Sequence, residues 1–215
     1  MKRIFITLAM SMTSLSLFAQ QAREYDGIIA IHELHEGWLV VRLPGFEKKL
    51  VVLDSLLAVS GLTEKARRDL GREKENTLAE KEFIHKWYPV MFDSAYSFSR
   101  VASIYTNETE RFQSGHLPAR SASGEALDPI DDGTYFLATL HGISSDPFVF
   151  TTKDHRIPAF PFPNRIGLPG FIIPGLFGPP VPDWIRSLED YTPIYRVYRH
   201  VYRINRKLRS FYERG

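Results

Sequence analysis

The sequence predicts a single mixed α/β domain, with four or five strands, a helical hairpin in a crossover, and a C-terminal helix packed on one face. Three observations predict it. The nearly unbroken apolar run "WLVVRL" suits a central strand covered on both sides. Two helical patterns follow it before the next apolar run, which is the order of a crossover between parallel strands. The closing segment repeats apolar residues at alternating steps of three and four, the period of an amphipathic helix. A thioredoxin-like outline without cysteines is the alternative arrangement.

Residues 1–19 read as a secretory signal peptide. Lys2 and Arg3 precede an apolar and hydroxyl-rich stretch over 4–17, too short to span a bilayer, and Ala19 is the small residue before a cut. The chain is therefore expected to be exported, periplasmic or extracellular, with one α/β domain over 24–215. The whole chain carries 27 basic and 25 acidic residues, and the leader holds two of the bases and no acid, so the remainder balances. A sequence pI near 8.8 thus overstates any global attraction to polyanions, and no specific nucleic-acid binding is expected. The absence of cysteine excludes disulfides, thiolate metal ligation and a lipid-modified N-terminal Cys. Stability must come from the core, and 44% apolar residues suffice to build one.

"GIIAIHEL" reads as either a strand or a short helix. "GWLVVRLP" over 37–44 is the clearest strand, with Gly before it and Pro after it. Residues 46–60 are helical by the spacing of Leu50, Leu53 and Leu57, and Gly61 occupies a left-handed cap position. Thr63 caps a second, polar helix expected to end near Trp87, because Pro89 disfavours helical geometry at Tyr88. "PVMF" over 89–92 then reads as the second, parallel strand. Residues 98–105 read as a short helix and 109–112 as part of another, followed by a loop. "TYFLATL" and "PFVFTT" form an antiparallel pair. "IPAFPFP" carries Pro158, Pro161 and Pro163, which places it at an edge or outside the sheet. In the last helix Thr192 is a cap and Pro193 the first helical residue. Its stripe of Ile194, Val197, Val201, Ile204, Leu208 and Phe211 docks on the sheet, and its other face carries Arg196, Arg199, Arg203, Arg206, Lys207 and Arg209.

The succession "GWLVVRLP…KKL", "KWYPVMFD", "YFLATL", "PAFPFP" and "VYRINRKLRSFY" resembles an uncharacterised family of small exported proteins from Bacteroidota. The resemblance covers 37–92 well and the rest loosely, and rests on packing patterns rather than catalytic signatures. Members often carry Cys where Tyr88 stands here, and the segment 164–183 reads as an insertion relative to them. The resemblance implies export and a single α/β domain, and no activity or ligand.

Candidate chemistry is sparse. "HELHE" places His32 and His35 three apart, on one face if helical, with Asp154 or His155 as a third ligand from elsewhere; it is not the zinc-protease spacing, and no metal site or cofactor is expected. His141, Asp146, Asp154 and His155 lie near Ser144 and Ser145, but no nucleophile elbow is present, so a hydrolase site near the strand ends is an alternative only. The glycines of "GLPGFIIPGLFG" are interrupted by prolines, which removes the backbone donors of a phosphate cradle.

Two surfaces remain. The Gly/Pro-rich apolar loop at 164–184 is expected to wrap on the body with Trp184 and Phe171 as anchors, and to expose its tip, Phe171, Ile172, Ile173, Leu176 and Phe177. Arg199, Arg203 and Arg206 of the last helix read first as a solvated face and, as the alternative, as a second binding face. The sequence therefore points to an exported, non-enzymatic binding or accessory protein of the cell envelope. The expected partner is an envelope protein or, through the basic helix, an anionic surface.

Overall fold

The computed structural model describes residues 25–127, 130, 134–140, 148–163 and 179–214. The expected signal peptide, most of the 164–184 loop and its tip lie outside the described residues. Six α-helices and four strands are described: α1 (Gly27–Glu36), β1 (Trp38–Leu43), α2 (Glu47–Leu57), α3 (Glu64–Ala95), β2 (Arg100–Tyr105), α4 (Thr109–Gln113), β3 (Tyr135–Leu140), β4 (Phe148–Thr152), α5 (Asp183–Arg186) and α6 (Tyr191–Tyr212). The strands form one mixed sheet in the order β2-β1-β3-β4. β1 pairs in parallel with both β2 and β3, with Val40 opposite Ala102 and Leu137, and β3 pairs antiparallel with β4. Among the described residues no helix is long and apolar enough to cross a membrane.

The ambiguous segment before β1 is a helix. Asp26 caps it, its carboxylate accepting from the amides of Ile28 and Ile29, and Ala30, Ile31 and Leu34 fall on its buried side. α2 and α3 form the expected hairpin: Thr63 accepts from the Ala66 amide, and Gly61 adopts a φ of 92° in the turn. Ion pairs Lys49–Glu73, Lys74–Asp54 and Lys81–Glu47 join the two helices. Each is solvent-exposed and contributes at most about 1 kcal/mol.

Two elements differ from the expectation, for one reason. α3 does not end at Trp87; it runs through Pro89 to Ala95. Ile84, Tyr88, Met91, Phe92 and Ala95 recur at helical spacing and are buried against the sheet. A proline inside a helix costs roughly 3 kcal/mol, whereas each large apolar side chain buried there contributes roughly 1.5–3 kcal/mol. Burial wins, and "PVMF" is the inner face of a helix rather than a strand. The second strand is instead "RVASIY", read above as helical; it supplies Ala102 and Ile104 to the core and takes the parallel place beside β1.

The two sides of the sheet are unequal. Leu39, Val41, Leu43, Phe136, Ala138, Leu140, Phe148 and Phe150 face the main core, with α1, α3 and α6 above them. Val40, Ala102, Ile104 and Leu137 face a smaller cluster with Phe112 of α4 and Ala119. On that side Arg42 is half-buried and donates to the hydroxyls of Thr109 (3.0 Å) and Thr139 (3.1 Å), and desolvation lowers its pKa. At the sheet's outer edge Arg120 forms a two-pronged pair with Glu108 (2.6 and 2.7 Å), which holds that carboxyl below its usual range.

The proline-rich "IPAFPFP" lies outside the four strands, as its missing amides require. It makes one bridge, Tyr25 with Pro158, and the Ala159 amide donates to the Tyr25 carbonyl at 2.7 Å. α1 starts directly against it. A Cβ on Gly27 would sit 2.1 Å from the Ala159 carbonyl oxygen, so only glycine permits this approach.

Candidate functional site

α6 begins at Tyr191, with Asp190 in the cap position making no side-chain capping bond; Thr192 and Pro193, expected as cap and first residue, fall inside its first turn. That turn has no internal use for amide hydrogens, so Pro193 is accommodated there as well. Ile194, Val197, Val201, Ile204 and Leu208 are all buried in the main core, with Phe211 half-buried at the end of the seam. Tyr195 is also buried, its hydroxyl donating to the Pro179 carbonyl at 2.6 Å.

With the apolar seam inside, the opposite face must meet solvent. Arg196, Arg206, Lys207 and Arg209 are exposed, and Arg199 and Arg203 are half-exposed on the same side. α6 contains no acidic residue. None of its six basic side chains has a carboxylate within ion-pair distance among the described residues, whereas the α2–α3 hairpin pairs lysines across its helices. Arg199, Arg203 and Arg206 stand at spacings of four and three, so they line one ridge. The Nε of Arg199 is buried and makes no hydrogen bond among the described residues.

Tyr198 flanks this ridge, stacked between Tyr195 (6.3 Å between ring centres) and Tyr202 (6.4 Å). Beside the ladder opens a groove of about 410 Å³, lined by Ser97, Tyr202, Asn205, Arg206, Arg209, Ser210 and Glu213. Its floor is tied together: the Ser97 amide donates to Asn205 Oδ1 at 3.0 Å, and Arg209 donates to Ser97 Oγ at 3.0 Å. These contacts hold Arg209 in place without neutralising it.

Behind the ridge, on the core side, lies His200. It is buried beside Phe148, and neither ring nitrogen has a hydrogen-bond partner among the described residues. Desolvation, and secondarily the charge of Arg203, push its pKa down to about 4, so the ring is neutral at ordinary pH.

The other sequence candidates are dispersed. His32 and His35 do share a helical face, but their neighbour is a tyrosine: their rings lie 4.8 and 4.1 Å from that of Tyr212. No three His, Asp or Glu side chains converge on a common point among the described residues. Asp154 pairs with Arg156 at 3.3 Å, and His155 is exposed in the turn after β4. His141, Ser144, Ser145 and Asp146 lie outside the described residues, as do Phe171, Ile172, Ile173, Leu176 and Phe177.

Trp184, the expected anchor, is 40% exposed. The anchors in the segment that rejoins the body are Val181 and Ile185, because the single turn of α5 rotates Ile185 inward and leaves Trp184 outside. The arginine ridge shows in the sequence as the complement of an amphipathic stripe, whereas Ser97 and Asn205 meet only through a contact between residues more than a hundred positions apart. Neither a protein-family model, nor a curated protein, nor a solved structure matches the chain.

Proposed function

We infer that this chain is an exported, non-enzymatic binding protein of the cell envelope, and that α6 holds it to an anionic, phosphate-bearing surface. One observation carries the reading: six cations on a rigid, sheet-backed helix, without a carboxylate partner among the described residues. Cations that serve only solubility are usually interspersed with acids, as they are on α3. A face that is cationic along the whole of α6, with Glu213 just beyond the helix end, concentrates the field on a fixed scaffold and favours charge-assisted contacts between guanidinium and phosphate. The tyrosine ladder adds flat, partly polar area beside it. Since the apolar seam is committed to the core, α6 cannot lie in a bilayer as a free amphipathic helix; attraction through this face is electrostatic.

The test is retention of purified protein 24–215 on inorganic polyphosphate and on vesicles containing anionic phospholipid, with zwitterionic vesicles as the control. Affinity is expected to fall at least tenfold between about 50 and 500 mM salt, as screening shortens the reach of exposed charges. Absence of binding to either anionic probe, or binding that ignores salt, contradicts the reading.

A further inference from the structure

We propose that Phe160, where the 157–160 stretch meets the start of α1, enters the bilayer as an apolar tip beside the C-terminal cations of α6, with Ile28, Ile29 and Ile157 exposed on the same two segments. This inference rests on the electrostatic reading above and names its surface as a lipid membrane. Phe160 is 87% exposed, and Ile28, Ile29 and Ile157 are each at least half-exposed. The tip is built rather than loose. The start of α1 and the 158–160 stretch are locked by the Tyr25–Pro158 bridge, the Ala159–Tyr25 hydrogen bond and the close approach at Gly27. Ile28 and Ile29 follow directly from that contact. The Phe160 ring then meets the edge of Phe211 of α6, 6.1 Å between centres.

Phe211 connects the tip to the charges. Lys207 precedes it by four residues and Arg214 follows by three, so both lie next to it, Lys207 at the border between the seam and the cationic face. Both are exposed, and neither has a carboxylate within ion-pair distance among the described residues. A large exposed ring beside two unpaired cations fits the boundary between acyl chains and anionic headgroups; the exposed Asp26 carboxylate, next to Ile28 and Ile29, is bonded to their amides.

The experiment compares wild-type protein, Phe160→Ser and Phe160→Trp on anionic vesicles. The side chain is almost wholly in solvent, so both variants are expected to fold as wild type, checked by circular dichroism. Phe160→Ser is expected to weaken vesicle affinity about tenfold, in keeping with the transfer energy of one phenyl ring, and to leave polyphosphate binding and the salt dependence unchanged. Tryptophan emission gained by Phe160→Trp over wild type is expected to be quenched by brominated acyl chains. Equal vesicle affinity of Phe160→Ser and wild type, with no quenching, overturns the inference and leaves the electrostatic reading standing. Binding of wild type to polyphosphate but not to vesicles does the same. Failure of wild type to bind either probe overturns both.

Discussion

Replacing Ile204 by alanine is expected to lower folding stability by about 2–5 kcal/mol, the range for deleting a large aliphatic side chain from a closed core. Ile204 is fully buried on the inner seam of α6, in the cluster that joins that helix to α3 and the sheet. The cavity left behind cannot collapse readily, because residues from a helix and from strands surround it and each is held by its own backbone hydrogen bonds. For a chain of this size the loss corresponds to a fall in melting temperature of roughly 5–15 °C. Arg206→Ala, on the exposed face of the same helix, should stay within about 0.5 kcal/mol of wild type. Urea unfolding of the two variants measures the contrast. A cost below about 0.5 kcal/mol for Ile204→Ala means that the seam does not face the core.

Acid should destabilise the protein through His200, and His200→Leu should remove that sensitivity. In the unfolded chain this imidazole takes up a proton near pH 6.5, whereas in the folded protein it does so only near pH 4. Between those values the unfolded state binds more protons, so stability rises with pH across the window. The contribution is complete above pH 6.5 and is lost as pH falls towards 4. At pH 4.5 the loss amounts to about 2–3 kcal/mol. Leucine is expected to flatten this part of the profile. It should also stabilise the protein at neutral pH by about 1–3 kcal/mol, because two buried ring nitrogens without partners are replaced by an apolar side chain. Unfolding free energies of both proteins at pH 7.5 and 4.5 decide the matter: the same pH difference in both excludes His200 as its source.

Much of this architecture is legible in the residues. β1, β3, β4, the α2–α3 hairpin and α6 each carry a periodicity that local chemistry reinforces: Gly37 and Pro44 around β1, Gly61 between the helices, and the three-and-four spacing from Ile194 to Leu208. The exchange at 89–105 was not legible. Pro89 argues locally for a helix end, and only the sheet beneath Tyr88, Met91 and Phe92 outweighs it; once the helix continues, the strand beside β1 must come from further along the chain. The arginine ridge could be read directly because it is the complement of an amphipathic stripe. Phe160 could not, because "PAFPFP" gives Phe160 and Phe162 the same local character, yet Phe162 is buried between Phe136 and Phe150 while Phe160 faces out. Their difference arises from how 158–160 meets α1, a contact between residues far apart in sequence.

Vesicle binding by the triple variant Arg199→Gln, Arg203→Gln, Arg206→Gln isolates the contribution of the α6 cations. None of the three belongs to the apolar seam, and glutamine keeps an aliphatic stem and a polar end at position 199, where the arginine Nε is buried, so the melting temperature should stay within a few degrees of wild type. Affinity for anionic vesicles at low salt is expected to drop at least tenfold, with a shallower salt dependence, since three of the six helix charges are gone. A folded triple variant that binds as tightly as wild type would contradict the account.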